Sequence, residues 1–261
     1  MNGWWGIKSC GGVYKMNTDV VTFLYHEVSD DPNSTGFVRK SNLPYKHKSA
    51  EFIKNIEAIK ESLITPTTIN QIENKSKNHK ILLTFDDGGK SAMHIADILE
   101  RYTWYGHFFI TTSMIETSTF LNKLDIKELF GRGHVIGTHS HNHRTPFRDL
   151  SIKEMIKEWS ISIDILEQIL SSKITCGSIP GGDMDKKSIT SAESCNIKYL
   201  FTSEPINKVW MKDRIMLFGR VCPKVGTEIS KVRNFANNKG FIKEIMVRKI
   251  KNLIKFFLGP L

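Results

Sequence analysis

Two histidines four positions apart, His139 and His143, and an acidic pair about fifty residues earlier, Asp86-Asp87-Gly88, are the side chains best suited to chemistry in this 261-residue chain. On a helical turn, imidazoles at i and i+4 point the same way and can grip one cation. Two neutral nitrogens and one carboxylate leave open positions on a divalent ion for water and substrate. The neighbouring carboxylate can then act as a base. Each cluster alone is a weak signal, since Asp-Asp-Gly is also ordinary turn chemistry. Their placement strengthens both. Asp86 and Asp87 follow the apolar run ILLTF, and His139, His141 and His143 follow HVIGT. Other polar groups stand at similar positions: His26 after VVTFLY, Pro180-Gly181-Gly182-Asp183 after the run 174–179, and Arg220 after IMLFG.

Elements that can bring these groups together are legible in the hydrophobic pattern. Short apolar runs at 20–26, 80–85, 107–111, 134–138, 174–179, 198–202 and 215–219 read as strands. Helical patterns alternate with them. The segment 49–63 puts Phe52, Ile53, Ile56, Ile59 and Leu63 on one face, and 91–102 and 123–130 are shorter. The segment 151–170 opens with a Ser151/Glu154 capping box and carries the stripe Ile152, Met155, Ile156, Trp159, Ile163 and Leu166. Strand–helix alternation predicts an α/β fold with a parallel sheet and helices outside it. Seven or eight repeats favour closure into a distorted (β/α) barrel of about seven parallel strands. In such barrels reacting groups collect at the C-terminal strand ends, where the residues above stand. The stretch 74–80 reads as a solvated loop, and Trp4 and Trp5 with nearby glycines as a mobile start or packing flap.

Composition narrows the function class. With 40% hydrophobic and 25% charged residues, the chain has an ordinary soluble make-up with enough apolar mass for one large core. No run approaches the roughly 18 apolar residues of a membrane span. The start lacks the pattern of a secretory signal. Cys10, Cys176, Cys195 and Cys222 include no CxxC pair, which argues against a zinc knuckle or a thioredoxin-like motif. Reduced thiols and a cytoplasmic location are the expectation. Of the net charge of +10, +7 lies from Lys231 onward, where eight basic residues face one acid. We therefore divide the chain into a body, 1–230, and a basic tail, 231–261. A helix over 241–258 would gather Ile242, Ile245, Met246, Ile250, Leu253 and Phe257 on one face, with Glu244, Arg248, Lys251 and Lys255 opposite. Such a helix suits either an anionic membrane surface, here the inner face, or docking of its apolar side on the body. No recognition module accompanies the charge, so nucleic acid is not the expected partner.

LLTFDDG, then GTHSHNH, then IPGG, together with YHEV in the first strand and HFFIT before the histidines, resemble the polysaccharide deacetylase family (carbohydrate esterase family 4, the NodB-homology domain). The resemblance runs from about Val20 to Cys222. It implies that Asp87, His139 and His143 bind one divalent ion, with zinc first and cobalt, nickel or manganese as alternatives. Asp86 would be the general base for the attacking water. The oxyanion would rest on the metal and a backbone N–H near Gly181, with Pro180, Gly182 and Asp183 in the same turn. The implied substrate is an acylated sugar.

Two positions depart from the family pattern. Ser178 stands where an arginine normally orients the base, and Leu217-Phe218-Gly219-Arg220 lacks the histidine of the family's last motif. Arg220 is the candidate for the missing charge, and His26 or His141 for the missing acid. The expected activity is removal of an acyl group, N-acetyl first, from a nucleotide- or lipid-linked intermediate of surface polysaccharide synthesis. A catalytically impaired sugar-binding barrel and a deformylase of a lipid-linked amino sugar are the alternatives.

Overall fold

The computed structural model describes residues 13–72 and 79–258. Its strands are β1 (Val13–Tyr25), β2 (Glu27–Val28), β3 (Lys46–His47), β4 (Lys80–Phe85) and β5 (His107–Ile110). They continue as β6 (Val135–Thr138), β7 (Cys176–Ser178), β8 (Tyr199–Phe201), β9 (Lys208–Lys212) and β10 (Ile215–Phe218). The helices are α1 (Ser49–Lys60), α2 (Ser91–Glu100), α3 (Lys123–Gly131), α4 (Ile152–Leu170), α5 (Lys186–Ser194), α6 (Ile229–Ala236) and α7 (Phe241–Leu258). The start with Trp4, Trp5 and Cys10 lies outside the described residues, as does most of the loop expected at 74–80.

Eight strands close into a barrel in the order β1-β4-β5-β6-β7-β8-β10-β9, while β2 and β3 pair only with each other. Seven of the eight are parallel to their neighbours among the seven, as the apolar runs predict. Strands such as β4, β5 and β10 read as continuous apolar runs because both of their faces are buried. In β4, Ile81, Leu83 and Phe85 join the layer beneath the helices, with Ile56, Ile95 and Leu99. Leu82, between them, points into the barrel with Phe109, Cys176, Phe201 and Phe218. This is the period-2 alternation of a strand sandwiched between lumen and helices.

Closure depends on a strand that the hydrophobic pattern does not announce. β9 runs antiparallel to both β10 and β1, pairing Lys212 with Val13 and Lys208 with Asp19. Its sequence, KVWMK, begins and ends with lysine, so it lacks the apolar run that marks the other strands. β1 likewise extends back through polar residues to reach it.

Two helix faces differ from expectation. α1 stops at Lys60, and Leu63 sits beyond it in a left-handed conformation (φ 60°), 90% exposed. In α4 the capping box forms as read, and Met155, Trp159, Ile163 and Leu166 are buried. Ile152 is exposed because it occupies the first helical position, ahead of the turn that meets the sheet. The boundary drawn at 230 falls inside α6, whose Val232, Phe235 and Ala236 join the main core together with Phe241. Among the described residues no helix is long and apolar enough to cross a membrane.

Trp159 ties α4 to α5: its ring is fully buried against Phe147, and its Nε1 donates to Ser191 Oγ at 3.1 Å. Trp159→Ala is expected to cost about 3–5 kcal/mol. The measurement is the shift in urea midpoint at unchanged m-value.

Candidate metal centre and catalytic cavity

Register carries the chemistry to one rim. Tyr25 pairs with Phe85, Phe85 with Phe108, Ile110 with Thr138, and Ser178 with Phe201, which pairs with Phe218. The residues that follow these strand ends therefore stand around the same opening. They include His26, Asp86, Asp87, His139 and Arg220.

Asp87, His139 and His143 converge there, with one ligating atom from each lying within 4.8 Å of the others. His139 Nε2 is 3.5 Å and His143 Nε2 3.3 Å from Asp87 Oδ1. The two histidines do not share a helical turn, as their spacing suggested. They lie on an irregular loop in which Ser140 (φ 65°) and His143 (φ 51°) are left-handed. Loop hydrogen bonds replace the helix: Ser140 N–H donates to Thr138 Oγ1, and His143 N–H to Ser140 Oγ, each at 3.1 Å. Glu158, buried on α4, accepts from the N–H groups of His141 and Asn142 at 3.1 and 2.7 Å. Sequence reading missed Glu158. An acid beside Met155 and Trp159 on a buried face was the available signal. Asp87 itself has φ 78°, a conformation sparsely used by residues other than glycine and often found at functional sites.

These three side chains fit a divalent cation. Asp87 Oδ1 is buried without a hydrogen-bond partner among the described residues. His139 Nδ1 lies 2.9 Å from the Ser178 carbonyl, an arrangement that places its proton there and leaves the Nε2 lone pair free to ligate a cation beside Asp87. Two imidazoles and a carboxylate form the donor set of an open site. Burial alone would raise the Asp87 pKa, but His143, His26 and His139 hold it well below the usual carboxylate range. Burial pushes His139 down to about 4 against the pull of Asp86 and Asp87, so it is neutral at pH 7. For His143, burial is outweighed by Asp87, and its pKa rises.

Asp86 lies beside this triad and is held by Arg220. Arg220 is 1% exposed and uses all five of its N–H groups. Nη1 donates to Asp86 Oδ1 (2.8 Å) and Thr84 Oγ1 (3.3 Å). Nη2 donates to Asp86 Oδ2 (2.9 Å) and Ser178 Oγ (2.8 Å), and Nε to the Thr202 carbonyl (2.9 Å). Ser178 Oγ donates in turn to Asp86 Oδ2 at 3.0 Å. The guanidinium thus arrives from the end of β10, and the small Ser178 on β7 accepts it. Burial raises the Asp86 pKa, but Arg220 and then His139 reverse the shift and keep it ionised.

A cavity of about 380 Å3 opens over Asp86, Asp87, His139, His143 and Arg220. His26 lines it, its ring tilted 48° against that of Tyr45 with centroids 4.9 Å apart, and its Nδ1 has no hydrogen-bond partner among the described residues. Burial lowers the His26 pKa against the two aspartates. His141 is not in the lining, because its Nδ1 turns away to Thr112 Oγ1 at 3.0 Å. Gly181 and Gly182 line the cavity, both at φ 70°. A Cβ on Gly182 would come within 1.8 Å of Ser203 Oγ, so this turn requires glycine. Pro180 and Asp183 flank the turn without lining the cavity, and Asp183 instead pairs with Arg248 at 2.6 Å. That contact was not legible in the sequence. Glu244, Val247 and Arg248 of α7 form part of the cavity wall.

A closed barrel with a largely buried two-histidine, one-carboxylate cluster at its C-terminal rim defines an α/β barrel with a candidate metal site. The family model described as polysaccharide deacetylase matches residues 73–200, and this stretch of the chain belongs to that family. Among solved structures, a polysaccharide deacetylase from Bacillus cereus is similar at TM-score 0.71 and 18% identity, over 84% of this chain and 69% of that one. IcaB from Ammonifex degensii is similar at TM-score 0.70 and 18% identity, over 85% and 98% of the two chains. A de-N-acetylase from Aggregatibacter actinomycetemcomitans is similar at TM-score 0.69 and 20% identity, over 83% and 99%. At these identities the likeness is one of fold. No curated protein matches the chain. Arg220 and α7 lie beyond the matched stretch.

Glu27 holds the turn that follows Asp87. Its Oε2 accepts from Ser91 Oγ at 2.6 Å and from Thr35 Oγ1, and a Cβ on Gly89 would come within 2.3 Å of its Oε1. Burial raises its pKa from 4.5 to about 7, the Ser91 and Thr35 bonds opposing. Between these values the folded state binds more protons than the unfolded, so this carboxyl makes stability fall as pH rises from 4.5 to about 7. Glu27→Gln is expected to remove that component, as urea midpoints of both proteins across this range will show.

The raised pKa of His143 has a consequence for metal uptake. Below that pKa the imidazole must lose a proton to bind a cation, so affinity is expected to rise with pH through it. Calorimetric metal titration in two buffers of different ionisation enthalpy checks this. The apparent heats should differ below the His143 pKa and converge above it.

Proposed function

We propose that this protein is a metal-dependent hydrolase that removes an acyl group, N-acetyl first, from a sugar. One observation carries the reading: the Asp87–His139–His143 cluster and the Arg220-fixed Asp86 face the same small cavity. A bound divalent ion, zinc in our reading, supplies a lowered water pKa and a polarised acyl carbonyl. Asp86, kept ionised by Arg220, takes the proton of the attacking water. Arg220 acts through Asp86 as a positioning residue, in the role the family gives to an arginine at the place of Ser178. In the glycine turn, Pro180 has no N–H and that of Gly182 donates to the Ile179 carbonyl at 2.8 Å. The N–H of Gly181 is the donor we assign to the developing oxyanion. His26 is assigned to protonation of the leaving group, because it lines the cavity and His141 does not.

The size of the cavity bears on the substrate. About 380 Å3 is near the lower end for ligand sites and suits one or two sugar units. A nucleotide- or lipid-linked intermediate of surface polysaccharide assembly, on the cytoplasmic side, fits it better than the interior of a polymer.

The test combines metal analysis with product detection on a panel of acylated amino sugars, free and phosphate-linked. Wild type is expected to hold about one metal per chain, lost in His139→Ala. Asp86→Asn should keep the metal and lose about 10²–10⁴-fold in turnover. Arg220→Ala and His26→Ala should each reduce turnover with metal retained. Full turnover in Asp86→Asn would sink the assignment of the base. Sugar binding without release of an acid would mark a binding barrel, and formate in place of acetate a deformylase.

A further inference from the structure

α7 meets the barrel with the wrong face for a surface helix of a soluble domain. Its polar side turns inward: Arg248 pairs with Asp183 at 2.6 Å and Glu204 at 3.3 Å, and Glu244 with Lys231 at 2.7 Å. Phe241 anchors its first turn against Phe235, with ring centroids 5.4 Å apart. Its apolar side faces outward, with Ile242 72%, Met246 58% and Ile250 57% exposed. An amphipathic helix packed on a soluble core shows the reverse arrangement. At 100° per residue, Ile242, Met246 and Ile250 form one stripe, and the exposed Lys243 and Lys249 lie along its two edges. A basic-edged apolar stripe has the chemistry of a helix lying in the interface of an anionic bilayer. A second protein surface would have to offer apolar and acidic groups in matching register.

Position adds a second observation. Val247, between the two faces of α7, lines the catalytic cavity together with Arg248 and the exposed Lys224 and Lys231. The outward stripe therefore runs beside the opening of the cavity. We infer that α7 lies on an anionic membrane surface through Ile242, Met246 and Ile250, turning the mouth of the cavity toward the lipid headgroups. For the meaning of the cavity this rests on the hydrolase reading above, and it selects a lipid-linked substrate over a nucleotide-linked one.

The experiment is vesicle sedimentation of the full chain, comparing equal phosphatidylglycerol and phosphatidylcholine with phosphatidylcholine alone. Binding is expected only to the anionic vesicles and should weaken with salt. Ile242→Ser, Met246→Ser and Ile250→Ser together should reduce it about tenfold or more, and Lys243→Glu with Lys249→Glu should do likewise. Circular dichroism and metal content should be unchanged, because these side chains lie outside the core. Absence of binding to anionic vesicles, or equal binding by the triple variant, would overturn the inference. A dimer in sedimentation velocity that the triple variant dissolves would assign the stripe to a second copy and also overturn it. Vesicle binding needs no turnover, so a chain that binds vesicles without releasing acid would lose the hydrolase reading and keep this one.

Discussion

Arg220 is the buried charge around which the rim of the barrel is organised. Its five hydrogen bonds reach Thr84 and Asp86 on the β4 side, Ser178 on β7 and Thr202 after β8. A guanidinium taken out of water is costly unless every donor is met and a counter-charge is close. Here the counter-charge is Asp86, itself 4% exposed, so each group offsets the cost of burying the other. That mutual requirement joins strand ends far apart in sequence and holds the carboxylate beside Asp87, His139 and His143 in one orientation.

The same low-dielectric setting explains the opposed behaviour of the two histidines. His139 lies deep, fixed through Nδ1 by a backbone carbonyl, and burial governs its pKa. His143 is nearer the surface and close to Asp87, and the carboxylate governs its pKa. A site built in this way holds one imidazole ready for a cation while the other must first give up a proton. Charge on Asp87 persists because three imidazoles surround it.

The C-terminal segment follows a different logic. Ion pairs with Asp183, Glu204 and Lys231 draw the polar side of α7 onto the rim and leave its apolar side to the surroundings. Exposed pairs of this kind are individually weak. The Arg248 contacts are half-buried, and Phe241 is inserted in the core, which gives the helix a fixed seat at the cavity wall. Asp183, in the turn expected to touch the oxyanion, thereby serves as a strut for α7.

Much of this molecule is decided locally. Strands buried on both faces tend to be apolar runs, α4 must begin at Ser151 where its capping box lies, and residues that follow strand ends must meet once the strands are parallel. Those features depend on neighbours in sequence or on one repeated pairing rule, so the chain displays them unaided. The eighth strand does not show, because β9 owes its existence to the two edges it joins and carries no pattern of its own. Nor does the loop that aims His139 and His143, since left-handed residues and a cap from Glu158 on the following helix shape it. The contact between Ser178 and Arg220 is equally silent: the two are 42 positions apart and become partners only when β7 and β10 flank β8. Which face of α7 points outward was likewise left open, because an amphipathic pattern specifies two faces and only tertiary contacts choose between them.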